Sequence, residues 1–165
     1  MGAWAYAGDD PGMQLFTLAV ASWKPQIAIP GRVLEVGCCE TTCLEHLRDV
    51  SPHLVLVGVD WRARRCEVAT TIKGDVRDPG LFDAESFDAV IGLSVIEHIG
   101  LGHYDQDPQD PDGDIKAVQN IASWLKPGGW VYLDVPFTPE GFHTKGTRYR
   151  GYDHQALLMR LAISS

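Results

Sequence analysis

The sequence is short of positive charge. Its 14 lysines and arginines stand against 22 acids, giving a formal net charge of -8. Displacing counterions from nucleic acid requires clustered Lys and Arg, so a nucleic-acid partner is disfavoured. No apolar run is long enough to span a bilayer, so no membrane partner is expected. The N-terminus lacks a basic region followed by an apolar block and a small-residue cleavage site. These absences point to a cytoplasmic protein. Cysteine is also scarce, with four in the chain, and Cys38, Cys39 and Cys43 crowd into six positions. They form no paired CxxC of the kind zinc sites use. Adjacent Cys38 and Cys39 would strain around one ion, even with His46 nearby. The expectation is buried or turn thiols in a reducing compartment, and no metal.

What is present is an ordinary globular balance, 45% hydrophobic and 22% charged over 165 residues. That is enough for one domain with a core. The organising stretch is Arg32–Leu44. A short apolar run ends in Glu35 and Gly37, and a helix start follows. Upstream, Leu15, Leu18 and Ala19 recur at helical spacing, so residues 1–30 are expected to form a helical cap, stopped by Pro25 and Pro30.

Strands are expected at 33–36, 54–60, 71–73, 87–93 and 130–136. Helices are expected from Thr41 or Glu40 to Arg48, and over 62–70, 115–125 and 155–161. Asp112 or Asp114 is the expected cap of the third of these and Asp153 of the last. Lys126-Pro127-Gly128-Gly129 is expected to turn the chain, and 137–151 reads as a polar loop. Strands alternating with helices define an α/β domain with a parallel sheet. No internal repeat or domain boundary appears in residues 1–165.

In such a sheet, ligands bind beyond the carboxyl ends of the strands, where strand order reverses. The strand ends carry Glu35 and Gly37, Asp60, Asp75, Ser94 with Glu97 and His98, and Asp134. Asp60 follows Gly37 by 23 positions, near the spacing at which an acid accepts from ribose hydroxyls. Singly, each acid reads equally well as a helix cap. Their recurrence at successive strand ends favours a nucleotide-like ligand.

These segments resemble the class I S-adenosylmethionine-dependent methyltransferases, and within them a bacterial subgroup. The resemblance rests on Val-Leu-Glu-Val-Gly-Cys at 33–38, Val-Gly-Val-Asp at 57–60, Gly-Asp-Val at 74–76, Phe-Asp-Ala-Val at 87–90, Ser-Val-Ile-Glu-His at 94–98 and Leu-Lys-Pro-Gly-Gly at 125–129. It implies a Rossmann-like three-layer sandwich over 31–165, with a mainly parallel sheet and without the last antiparallel strand pair. It implies S-adenosylmethionine as cofactor. Glu35 would orient its methionyl end, with Gly37 and Cys38 letting backbone pass close. Asp60 would hold the ribose beside Trp61, Asp75 and Val76 would read the adenine edge, and Leu93 or Ser94 would meet the methionyl group.

The expected activity is methyl transfer to an oxygen or nitrogen of a small molecule or glycosyl acceptor. His98 is the expected base, with His103, Tyr104 and then His143 behind it. Two departures support a second reading, a catalytically degenerate binding or partner subunit. The first motif keeps only Gly37, with Cys39 and Thr41 where the family has glycines. A positive φ at either would cost about 1 kcal/mol or more. The last helix is followed by four residues, so one sheet edge is expected to be free to pair with a second copy. A nicotinamide-dependent oxidoreductase fits the sheet but not the Glu-His pair.

Overall fold

Val33, Leu34, Glu35 and Val36 are all buried, because strand β1 (Arg32–Val36) lies in the middle of a sheet covered on both faces. The computed structural model describes residues 31–162 apart from 63, 105 and 106. The helix expected within 1–30 lies outside the described residues. After β1 come helix α1 (Cys43–Val50), strands β2 (Val55–Asp60), β3 (Thr70–Lys73) and β4 (Phe87–Gly92), and a 3-10 turn at Ile96–His98. Helix α2 (Gly113–Trp124), strand β5 (Leu125–Leu133), the short strands β6 (His143–Thr144) and β7 (Arg150–Gly151), and helix α3 (His154–Arg160) complete the order.

The five strands of the main sheet run in the order β3-β2-β1-β4-β5, and every neighbouring pair is parallel. From β1 the chain winds outward first one way and then the other, so strand order reverses between β1 and β4. Period-2 alternation divides the core. Val33, Leu56, Ala89 and Ile91 join Leu44 and Leu47 of α1 on one face. Leu34, Val57, Val59 and Val90 join Ala117, Val118, Ile121 and Trp124 of α2 on the other. This is the expected Rossmann-like sandwich.

Several local expectations are corrected. None of the described residues between β2 and β3 is helical. Side chains hold two carbonyls of this stretch: Arg64 O, which a helix over 62–70 would use, accepts from the Thr71 hydroxyl, and Val68 O accepts from Arg48 at 2.9 Å. Lys126–Gly129 does not precede β5 but bulges within it, between the pairs Phe87–Leu125 and Ala89–Trp130. Lys126 Nζ pins that bulge to Asp88 at 2.9 Å, and Gly128 supplies a φ of 76°. The stretch 137–151 is not only loop, because β6 and β7 pair as an antiparallel hairpin. Asp153 caps α3 as expected, accepting from Ala156 N at 2.7 Å. Neither Asp112 nor Asp114 caps α2. Asp112 makes no side-chain cap bond.

Asp114 is instead fully buried. It accepts from Tyr152 Oη at 3.0 Å and from Arg160 Nε and Nη2 at 2.8 and 2.7 Å. Arg150, also buried, lies 3.7 Å away and donates to the carbonyls of Ile99, Asp110 and Pro111. Removing one member of such a cluster strands buried charge. Asp114→Ala is therefore expected to lower unfolding free energy by about 3–5 kcal/mol, measured by denaturant titration. A loss below about 1 kcal/mol, the range of exposed pairs, would refute this role.

Candidate functional site

The turn after β1 is built on one glycine. Gly37 has φ 80°, and a Cβ there would fall 2.5 Å from Val95 Cγ2. Its N–H donates to Val59 O at 2.8 Å, which fastens the turn to β2. Cys39 and Thr41 adopt no positive φ. Among the described residues only Glu85 and Ser94 do so without being glycine. The lost glycines therefore impose no backbone strain at those two places. Cys38 is buried, and a Cβ on Gly58 would lie 2.7 Å from its sulfur. It packs on the sheet as a core thiol, and burial pushes its pKa up to about 12. Glu35 lies beneath the turn, fully buried, with the Thr41 hydroxyl donating to Oε1 and no partner for Oε2. Burial raises its pKa to about 7.

The ends of β2 and β3 repeat one arrangement, an acid followed two residues later by an arginine that folds back on it. Asp60 Oδ1 accepts from Arg62 N at 2.8 Å and Arg62 Nε at 3.2 Å, and Oδ2 accepts from Cys39 N at 3.0 Å. A carboxylate has about four acceptor sites, so Oδ2 keeps one. Asp75 is more fully engaged: Oδ1 takes Arg77 N and Nε, both at 2.9 Å, Oδ2 takes Nη2 at 2.8 Å, and the single Nε–H is shared with Oδ2 at 3.1 Å. Arg77 also reaches Asp107 Oδ1 at 2.8 Å, tying β3 to the loop after β4.

Beyond β4, Ser94 is held at φ 45°. Its N–H and hydroxyl both donate to Asp134 Oδ1 at the end of β5. His98 follows on the 3-10 turn. Its Nδ1 faces the carbonyl of Arg148. A carbonyl only accepts, so Nδ1 carries the proton and Nε2 the lone pair in the neutral ring. Burial lowers the pKa of His98, which favours that neutral form. Nε2 lies 3.7 Å from Oε1 of Glu97, a buried acid whose Oε2 is unpartnered. Burial, with repulsion from Asp134 behind it, raises Glu97 to about 8. His103 stacks on His98 at 5.8 Å between centroids, Tyr104 meets His103 edge-on at 4.9 Å, and Arg62 lies 4.3 Å over Tyr104.

All this surrounds one cleft of about 1200 Å³ across the carboxyl ends of the strands. Gly37, Asp60, Trp61, Asp75, Val76, Leu93 and Ser94 line it, as do His98, His103 and Tyr104. Glu35 and Cys38 do not; they lie beneath its floor. His143 is exposed and not in the lining. Arg148 and Tyr149 also line the cleft; they belong to the stretch from His143 to Arg150, whose Lys145, Arg148 and Arg150 with Tyr149 and nearby Tyr152 read in sequence as able to hold an anionic or glycosyl substrate. Sequence reasoning missed Arg62, Arg77 and Asp107, which line it too. The recurring Asp-x-Arg at 60–62 and 75–77 was a legible signal for two of them. Asp107 is placed by a loop that no local pattern announced.

The same fold recurs among solved structures. A chain from the Haloferax volcanii complex containing the Trm112 methyltransferase activator is similar over 96% of this chain and 73% of its own, with 19% identity and a TM-score of 0.56. Streptomyces venezuelae DesVI is similar over 79% of this chain and 52% of its own, with 24% identity and a TM-score of 0.57. The O-methyltransferase of a Brevibacillus brevis trans-AT PKS multienzyme, in complex with S-adenosyl-L-homocysteine, is similar over 78% of this chain and 43% of its own, with 19% identity and a TM-score of 0.59. This chain thus spans about half the length of the last two. At these identities the likeness is one of fold, and the fold is that of the class I S-adenosylmethionine-dependent methyltransferases. Residues 79–161, just over half of the chain, match the family model described as Caenorhabditis protein of unknown function, DUF268, and the chain belongs to that family. No curated protein matches it in sequence. No helix among the described residues is long and apolar enough to cross a membrane.

Glu35 and Glu97 both bind protons more tightly folded than unfolded. Their contribution to stability is complete below the ordinary carboxyl value of 4.5 and is lost as pH rises through about 7 and about 8 respectively. Stability should therefore decline across that window. Glu97→Gln should flatten the upper part of the decline in denaturant titrations at stepped pH. An unchanged slope would show that Glu97 is already ionised in the folded chain at neutral pH.

Proposed function

We propose that this chain is a cytoplasmic S-adenosylmethionine-dependent methyltransferase acting on an oxygen or nitrogen of a small molecule or glycosyl acceptor. The observation that carries this reading is the convergence of Gly37, Asp60, Asp75, Ser94 and His98 on one cleft at the reversal of strand order. The residues fit such a cofactor. Gly37 keeps the turn open where any side chain would collide, Glu35 holds a buried oxygen without a partner, and Asp60 retains acceptor capacity.

Asp60 would take the ribose and Trp61 an adenine face. Arg77 engages both oxygens of Asp75, so the adenine edge would fall chiefly to Val76 and the Asp75 backbone. Leu93 and Ser94 would border the methionyl group, with Glu35 and Cys38 beneath it. When bound, the cofactor supplies an electrophilic methyl group on a sulfonium. His98, neutral and with Nε2 bearing the lone pair, would take the proton that the acceptor hydroxyl or amine gives up. His103 and Tyr104 would wall the acceptor side. A second copy pairing along the β5 edge belongs to the same reading.

One observation favours the alternative of a degenerate partner subunit. Arg77 fills the Asp75 carboxylate that an adenine amino group would use. Turnover on a panel of acceptors separates the two readings, and cofactor binding tests the site itself. Asp60→Ala should weaken S-adenosylhomocysteine binding by roughly 1–3 kcal/mol in calorimetric titration; undetectable binding by the unaltered chain would support the degenerate subunit. On the first acceptor found to turn over, His98→Ala should lower kcat by about 10²–10⁴-fold with cofactor affinity retained. A fully active variant would remove His98 as the base.

A further inference from the structure

Three arginines line the cleft: Arg62, Arg77 and Arg148. Two are consumed by carboxylates. Arg62 pairs with Glu40 at 2.5 Å and Asp60 at 3.2 Å, and Arg77 with Asp75 and Asp107, both at 2.8 Å. Arg148 differs. Among the described residues its guanidinium has neither a carboxylate nor a carbonyl partner.

Its backbone, by contrast, is fixed on both sides. Arg148 N donates to Lys145 O at 3.0 Å, and Arg148 O holds Nδ1 of His98. Lys145 N in turn donates to Tyr149 O at 2.9 Å, which closes the β6–β7 hairpin. The base of that hairpin is anchored by buried Arg150 through the carbonyls of Ile99 and Asp110, at 2.7 and 3.1 Å. Lys145 adds a second cation on the same turn, 5.8 Å from the Tyr149 ring, and Tyr149 lines the cleft. An exposed guanidinium on a fixed backbone at the cleft lining, unpaired among the described residues, is suited to bidentate recognition of an oxyanion. It is also surrounded by a chain of formal net charge -8, so this wall is a local exception to the overall charge.

We propose that Arg148, supported by Lys145, forms an oxyanion subsite that binds a phosphate or carboxylate group of the molecule entering the cleft. This deepens the methyl-transfer reading and rests on it for one step: on that reading the anion belongs to the methyl acceptor. The residue that fixes the tautomer of His98 through its carbonyl then also anchors the acceptor through its side chain. The oxygen or nitrogen that receives the methyl group should accordingly lie close in the molecule to its anionic group.

The test uses the full chain and two simple probes, inorganic phosphate and acetate, at constant ionic strength set with chloride. Binding is read from the backbone amide shifts of Arg148 and Tyr149 in nuclear magnetic resonance titrations. The subsite predicts saturable shifts with one or both probes in the unaltered chain. Which probe binds distinguishes phosphate-bearing from carboxylate-bearing acceptors. Arg148→Gln should weaken that binding by roughly tenfold or more, and Arg148→Lys should retain part of it. Arg65→Gln, an exposed position outside the cleft lining, should leave it unchanged. Absence of saturable binding with both probes, or equal binding in Arg148→Gln, overturns the proposal. S-adenosylhomocysteine is titrated separately. Its failure to bind would count against methyl transfer, while the Arg148 comparison would still decide whether the oxyanion subsite exists.

Discussion

The buried carboxylate of Asp114 is the constraint on which the shape of the cleft depends. An uncompensated charge at that depth would be costly. The chain satisfies it by drawing in three side chains from the far end of the sequence: Tyr152, Arg160 and, at longer range, Arg150. In doing so it folds the β6–β7 hairpin and α3 back against the start of α2 and the loop after β4. The hairpin then brings Arg148 to His98 and Tyr149 to the cleft. One buried ion cluster thus converts an open sheet end into a walled site. The family match over residues 79–161 takes in this whole assembly, from before β4 to α3.

The other half of the cleft is organised by a different device. Asp60 and Asp75 terminate adjacent strands, and each is folded upon by the arginine two residues on. The arginines also reach outward, Arg62 to Tyr104 and Arg77 to Asp107. Both links run to the segment after β4. Beyond the sheet, the proposed cofactor side and the proposed acceptor side are therefore joined by charged side chains. A ligand that needs both oxygens of Asp60 must compete with Arg62, which couples its binding to the position of Tyr104.

Much of the architecture was legible because buried parallel strands read as unbroken apolar runs. Val33–Val36, Leu54–Asp60 and Phe87–Gly92 needed no tertiary information. The glycine turn was legible through Gly37, while the concern over Cys39 and Thr41 was not met, because the turn passes through them at ordinary φ. What escaped were features set by long-range partners. Lys126–Gly129 has the composition of a turn, and it does turn, but as a bulge inside β5 held by Asp88. Residues 62–70 have helical composition, yet Arg48 and Thr71 capture carbonyls within them. Asp114 has the position of a cap and the burial of a core residue. In each case a polar side chain distant in sequence decided the outcome.

The proposed function requires the cleft across β1, β2 and β4 to receive S-adenosylmethionine. The most direct test is a crystal structure of the chain grown with saturating S-adenosylhomocysteine. The expected result is the ligand in this cleft, with its ribose hydroxyls on Asp60 and its sulfur toward the Ser94–His98 side. An empty cleft, with Arg62 and Arg77 still closed on Asp60 and Asp75, or the ligand bound elsewhere, would contradict it.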